Sequence, residues 1–258
     1  MKENNMNFKR LFIFLIIAIS ISNIFRFDVF GTKQILEKLP NWIYLLCSVI
    51  LEGSGVFIGA LISIKLLRKE RKTEITFFGT SQKKGLLMSI IPITLLSIIG
   101  VKNEYGINEN LYGLYAILIS LIYAIMEEFG WRGYLQEEFK YLKPIKKYFL
   151  IGSIWYLWHL SFLTNATIKD NFFFLGMMIF GSWGIGQVAE TTKSILASAC
   201  FHLIINIMMY NSLIKNGING NQKLIILGIS IVFWIIITEK WKKENNLKLI
   251  NEKESQNR

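Results

Sequence analysis

The stretch IMEEFGWRG, residues 125–133, places Glu127, Glu128 and Arg132 at the end of a segment with no charge from Leu111 to Met126. Each ionisable group held at mid-membrane costs about 2.5–3.5 kcal/mol, so those that persist there are functional candidates. Within the apolar blocks of this chain they are Glu52, Glu127, Glu128, Arg132, His159 and His202, and the last two are its only histidines. A carboxylate and an imidazole can hold a water and take its proton, and a buried carboxylate is a stronger base than one in water. A second imidazole with an amide N–H, as His202 and Asn206 offer four residues apart, can donate to an oxyanion. Such a set suits amide hydrolysis without a serine or cysteine nucleophile, and Cys200 points off the His202 face. Glu127, His159 and His202 are equally a known ligand type for Zn²⁺, although no HExxH helix supplies local spacing.

Helical spacing adds roles. Glu128 and Arg132 are four apart and can pair on one face. Glu127 is turned about 100° from Glu128, free to point into a cavity while its neighbour holds the arginine. Trp155 and His159 share a face, so an aromatic ring can pack beside that imidazole. The plainer reading makes each histidine a hydrogen-bonded core residue and Glu52 a partner for a neighbouring helix. Gly53, Ser54, Gly55 and Gly59 around Glu52 favour close helix packing.

The elements that must carry these residues follow from composition. The chain has 258 residues, 52% hydrophobic and 18% charged, with mean hydropathy +0.40. Its apolar residues fall in blocks near the roughly 17–25 residues that span a bilayer core. The expected fold is an all-α polytopic integral membrane protein of about eight transmembrane helices. These are Phe8–Phe25, Trp42–Leu67, Leu86–Val101, Leu111–Gly133, Tyr148–Leu163, Phe172–Val188, Ser194–Tyr210 and Leu224–Thr238. The third is short and kinked or tilted at Pro92. The first reads as a retained anchor, since SISNIFRF follows it with no small-x-small cleavage site. Residues 1–239 form the membrane domain, with core motifs over 127–206, and residues 240–258 are expected as a ragged polar cytoplasmic tail. Cys47 and Cys200 have no redox or metal spacing and read as small core residues.

The net charge of +11 does not point to nucleic acid. With a cytoplasmic N-terminus, 22 of the 29 Lys and Arg fall on the inner side and 7 on the outer. That split follows the positive-inside rule, with both termini cytoplasmic in a multi-pass protein of the cell membrane. The segment IKLLRKERK can also touch anionic lipid heads. At about 1.5 Å per residue, His159 lies roughly 16 Å and His202 roughly 12 Å from the inner side, while Glu127 lies about 24 Å from the outer. Three helices thus bring their polar groups to a common depth.

EEFGWRGYL resembles the EExxxRG signature of the CAAX-prenyl-protease and bacteriocin-processing family, also called Abi or CPBP. In that family an aromatic-x-x-x-His and then a His-x-x-x-Asn follow; here these are Trp155 to His159 and His202 to Asn206. The resemblance implies an intramembrane endopeptidase. Glu127 and His159 would activate water, His202 and Asn206 would stabilise the oxyanion, and Glu128, Arg132 and Trp155 would support the site. The family is often labelled metalloprotease, yet a glutamate mechanism without metal fits the same residues. Two positions depart from its pattern: Trp155 stands where phenylalanine is usual, and Lys193, in TTKSILASACFH, where glycine often stands. The expected partners are the bilayer and a peptide or protein substrate. A composition rich in Ile, Lys and Asn, fitting an AT-rich bacterial genome, favours a pheromone or bacteriocin precursor over a prenylated protein. Two rival readings are a non-catalytic bacteriocin-immunity or scaffold protein and an ion-coupled transporter. Against the transporter, the chain shows no inverted repeat and no paired broken helices.

Overall fold

Side-chain caps and a proline set several helix starts. Asn7 opens α1 (Phe8–Arg26) by accepting from the Arg10 N–H at 3.2 Å. Ser81 caps α4 (Gln82–Ile99) and Ser194 caps α8 (Ile195–Ile205) in the same way. Such caps satisfy N–H groups that a helix leaves without partners. Pro144 stands at the first turn of α6 (Pro144–Trp158), where its missing N–H is not needed. The remaining helices are α2 (Thr32–Leu36), α3 (Asn41–Leu67), α5 (Glu109–Glu128), α7 (Ile168–Thr192), α9 (Ser212–Lys215) and α10 (Gly220–Gln256). A π-helical segment, Phe129–Gln136, continues α5. The computed structural model describes residues 6–160, 166–207 and 212–256.

The all-α polytopic class is met, and the count of eight spans is not confirmed. Among the described residues six helices are long and apolar enough to cross a membrane: α1, α3, α4, α5 with its π segment, α7 and α10. The expected fifth and seventh spans are the exceptions. α6 has 15 residues and α8 has 11, rising only about 22 and 16 Å against a core of about 30 Å. The expected ends of those two spans, residues 161–163 and 208–210, lie outside the described residues.

The chain divides into two compact units, with boundaries inside α5 and near the end of α7. The first comprises residues 1–75 and 122–187. In it α1 runs along α3, with Phe14 and Ala18 buried and Gly55 and Gly59 set against Ser22 and Phe14. The small residues flanking Glu52 therefore do pack helices closely, while Glu52 itself is half-buried. A second buried polar cluster ties the start of α1 to the end of the π segment. Glu138 accepts from Arg10 Nε at 2.9 Å and Nη2 at 3.0 Å. Glu137 accepts from the Glu74 and Ile75 N–H groups at 2.7 and 2.8 Å.

The second unit comprises residues 76–121 and 188–258. Here α4 packs on α8 and α10, and the Trp234 indole donates to the Met88 carbonyl at 2.9 Å. The segment before α4 lies along the start of α8: Thr76 N–H donates to Lys193 O at 2.8 Å and Ile195 N–H to Thr76 O at 2.9 Å. Lys193 sits at φ +56°, which explains why glycine suits that position: the left-handed region is costly for other residues. The expected ragged tail is helical through Gln256. Trp241 anchors it by donating to Thr80 Oγ1 at 2.6 Å, and Asn245 Nδ2 donates to the Thr191 carbonyl at 2.9 Å.

Candidate active site

Glu127 closes α5 one residue before its last, and it is 1% exposed. Its Oε2 accepts two hydrogen bonds, from the indole N–H groups of Trp131 and Trp155, each at 2.9 Å. Trp131 is four residues on, one turn away; Trp155 comes from α6. Both donors are neutral. The cation nearby in sequence is committed elsewhere: Arg132 Nη1 pairs with Glu128 Oε1 at 3.1 Å, and both side chains are fully buried. The expected Glu128–Arg132 pair is thus formed. Arg132 also places its guanidinium 5.3 Å from the Trp155 ring centre and donates through Nη2 to the Ser182 carbonyl of α7 at 3.5 Å.

Close packing makes this arrangement possible. A Cβ on Gly130 would fall 2.2 Å from Val56 Cγ1, so only glycine lets the π segment meet α3. A Cβ on Gly152 would fall 2.5 Å from the Ile179 Cα, which brings α6, and with it Trp155, against α7. The wider π turn begins at Phe129, directly after the two glutamates, and such turns recur at functional sites. The sequence reading had a regular helix through Gly133.

His159 does not lie inside a helix, as the span Tyr148–Leu163 required. It is the C-cap of α6, at φ −80° and ψ 62°, with its N–H donated to the Trp155 and Tyr156 carbonyls. Its imidazole meets the Trp158 ring edge to face, with centres 4.5 Å apart. The residue before it is clamped by α1. The Trp158 carbonyl accepts from Arg26 at 3.1 Å and Asn23 at 3.4 Å, and the Trp158 indole donates to the Ala18 carbonyl at 3.1 Å.

His202 and Asn206 belong to the second unit, on and just after α8. Both are buried, and the Asn206 N–H donates to the His202 carbonyl, so they follow one helical turn as expected. Cys200 is buried beside them in sequence, and Cys47 is half-buried; both thiols are free.

The sequence reading missed Trp131, which stands at the same i to i+4 spacing from Glu127 as Arg132 from Glu128. It also missed Glu137 and Glu138, although EEF occurs at 127–129 and again at 137–139.

Residues 109–208 match the family model of the type II CAAX prenyl endopeptidase, Rce1-like. Over that segment the chain resembles a CAAX prenyl endopeptidase. All the motif residues named above fall inside it. The CAAX prenyl protease 2 of Methanococcus maripaludis is 31% identical over a 106-residue alignment covering 35% of this chain and 38% of that relative. The chain therefore matches well under half of the curated relative's length. No solved structure matches the chain.

The ligands expected for a metal are Glu127, His159 and His202. Among the described residues no three His, Cys, Asp or Glu side chains are gathered to hold a metal ion. Glu127 Oε2 is moreover occupied by two N–H donors. The described side chains do not make up a metal centre.

Proposed function

We propose that the protein is an intramembrane endopeptidase that hydrolyses a peptide bond with a glutamate-activated water. The supporting observation is the Glu127 carboxylate: buried among apolar helices, held by two neutral N–H donors, and relieved of the neighbouring cation by Glu128. Glu127, with His159 sharing the water, accepts one proton as the water oxygen attacks the amide carbon. The carbonyl π electrons move to oxygen, and His202 and Asn206 donate to that oxyanion. When the C–N bond breaks, the proton held by Glu127 passes to the departing nitrogen, which leaves as an amine beside a new carboxyl group. Glu128, Arg132 and Trp155 hold the machinery in place. The substrate is a peptide or protein segment entering from the bilayer; a pheromone or bacteriocin precursor is the finer proposal. Both termini face the cytoplasm, on the distribution of Lys and Arg.

The test is cleavage by purified protein in liposomes, with farnesylated CAAX-box peptides and unmodified apolar peptides offered side by side and products read by mass spectrometry. Cleavage of either, with one ¹⁸O from labelled water in the new carboxyl group, is the expected result; intact peptides throughout would refute the activity. The same assay tests metal dependence. Activity stays within about twofold after 1,10-phenanthroline or EDTA, because a carboxylate base supplies the 10²- to 10⁴-fold typical of general catalysis without a Lewis acid. Loss in chelator followed by recovery with Zn²⁺ would overturn the metal-free mechanism.

A further inference from the structure

Glu127 has two carboxylate oxygens, and the structure treats them differently. Trp131 Nε1 and Trp155 Nε1 both donate to Oε2, each at 2.9 Å. An indole has one N–H and no acceptor, so neither ring can take up or relay a proton from Glu127. The two rings are themselves closely packed. Both are buried, with centres 6.2 Å apart, and Trp131 is packed edge-on against Phe14 and Trp158 at 5.8 and 5.7 Å. Tyr123, one turn earlier on α5, also interacts with this carboxylate.

We propose that Trp131 and Trp155 are positioning residues that pin Glu127 Oε2 and so assign the water-activating work to Oε1. This rests on the peptidase reading above. A carboxylate bonded through one oxygen from two directions cannot turn about its last torsion without breaking a bond to a charged group, the stronger kind of hydrogen bond. Its second oxygen is then held in one direction, which a reacting water requires: a misplacement of about 1 Å can cost 10²-fold in rate. Trp155 matters most, because it ties the carboxylate to α6, the helix that His159 closes. A phenylalanine at that position fills most of the space and carries no donor.

Two readouts separate this proposal from the activity itself. The first needs no substrate. The chain has seven tryptophans, giving seven indole N–H resonances in ¹⁵N-tryptophan-labelled protein in micelles. Glu127→Gln replaces the charged acceptor by a neutral one, and the resonances assigned to Trp131 and Trp155 are expected to move upfield by more than any of the other five. An unmoved Trp155 resonance would remove the proposal, whether or not the protein cleaves peptides.

The second readout is kinetic. Trp155→Phe lowers kcat roughly 10- to 100-fold with KM within about twofold. 3-Benzothienylalanine at 155, which keeps the bicyclic shape and puts sulfur in place of N–H, does the same and covers the case in which Trp155→Phe fails to fold. Trp234→Phe removes another buried indole N–H, donated to the Met88 carbonyl in the second unit, and leaves kcat unchanged. Full kcat in the benzothienyl protein would show that the N–H does not position Glu127.

Discussion

Glu127→Gln abolishes peptide hydrolysis while leaving the protein folded, with kcat reduced at least about 10²-fold and up to 10⁴-fold, the range for removal of a general base. The two halves of this expectation have separate causes. Glutamine keeps the shape of the side chain and one carbonyl oxygen, so it still accepts from the Trp131 and Trp155 indoles that now reach Oε2 at 2.9 Å. Arg132 keeps its ion pair with Glu128. The amide, however, cannot take a proton from water. Thermal unfolding followed with the cleavage assay checks both halves. A folded Glu127→Gln protein that turns over at the wild-type rate would show that the carboxylate is structural.

Breaking the Glu128–Arg132 pair has the largest expected effect on stability. Both side chains are fully buried, and their contact at 3.1 Å joins two charges taken out of solvent. Removing one partner leaves the other uncompensated, at a cost of about 3–5 kcal/mol. Arg132→Met and Glu128→Leu should each lower the unfolding free energy, read from a denaturing-detergent titration, by that amount. The double variant should recover most of the loss, because apolar groups of similar volume often replace a buried ion pair at little net cost. Activity should not recover with it. Arg132 also spans to the Ser182 carbonyl and lies over the Trp155 ring, contacts a methionine cannot reproduce. Single variants as stable as the parent would mean that the pair contributes nothing to the fold. A fully active double variant would mean that the pair does not organise the site.

These two predictions mark how far the sequence could be read. The Glu128–Arg132 pair was legible because opposite charges four residues apart announce themselves on any helix. Glu127 and Trp131 have the same spacing, but a neutral indole N–H leaves no mark in a charge pattern. The bond from Trp155 joins two helices, and no local spacing encodes that. His159 lay in an apolar segment that hydropathy extended to Leu163, yet the backbone leaves the helix after Trp158 with no glycine or proline to signal it. The start of α6 was missed for the converse reason: Pro144 marked it, while the basic residues after it hid it from a hydropathy reading. Hydropathy also responds to lipid and not to protein partners, so the polar end of α10 read as loose although Trp241 and Asn245 pin it. Arg10 read as a topology charge and is in fact buried against Glu138.

The central proposal is that Glu127 and His202 serve one hydrolytic reaction. The most direct measurement is a double-mutant cycle on kcat in liposomes, with Glu127→Gln, His202→Ala and their combination. Groups that work as one catalytic unit lose activity once: the account predicts a double variant no slower than the worse single variant, within about threefold. Losses that multiply across the two substitutions would contradict it, since they would place the two residues in independent roles.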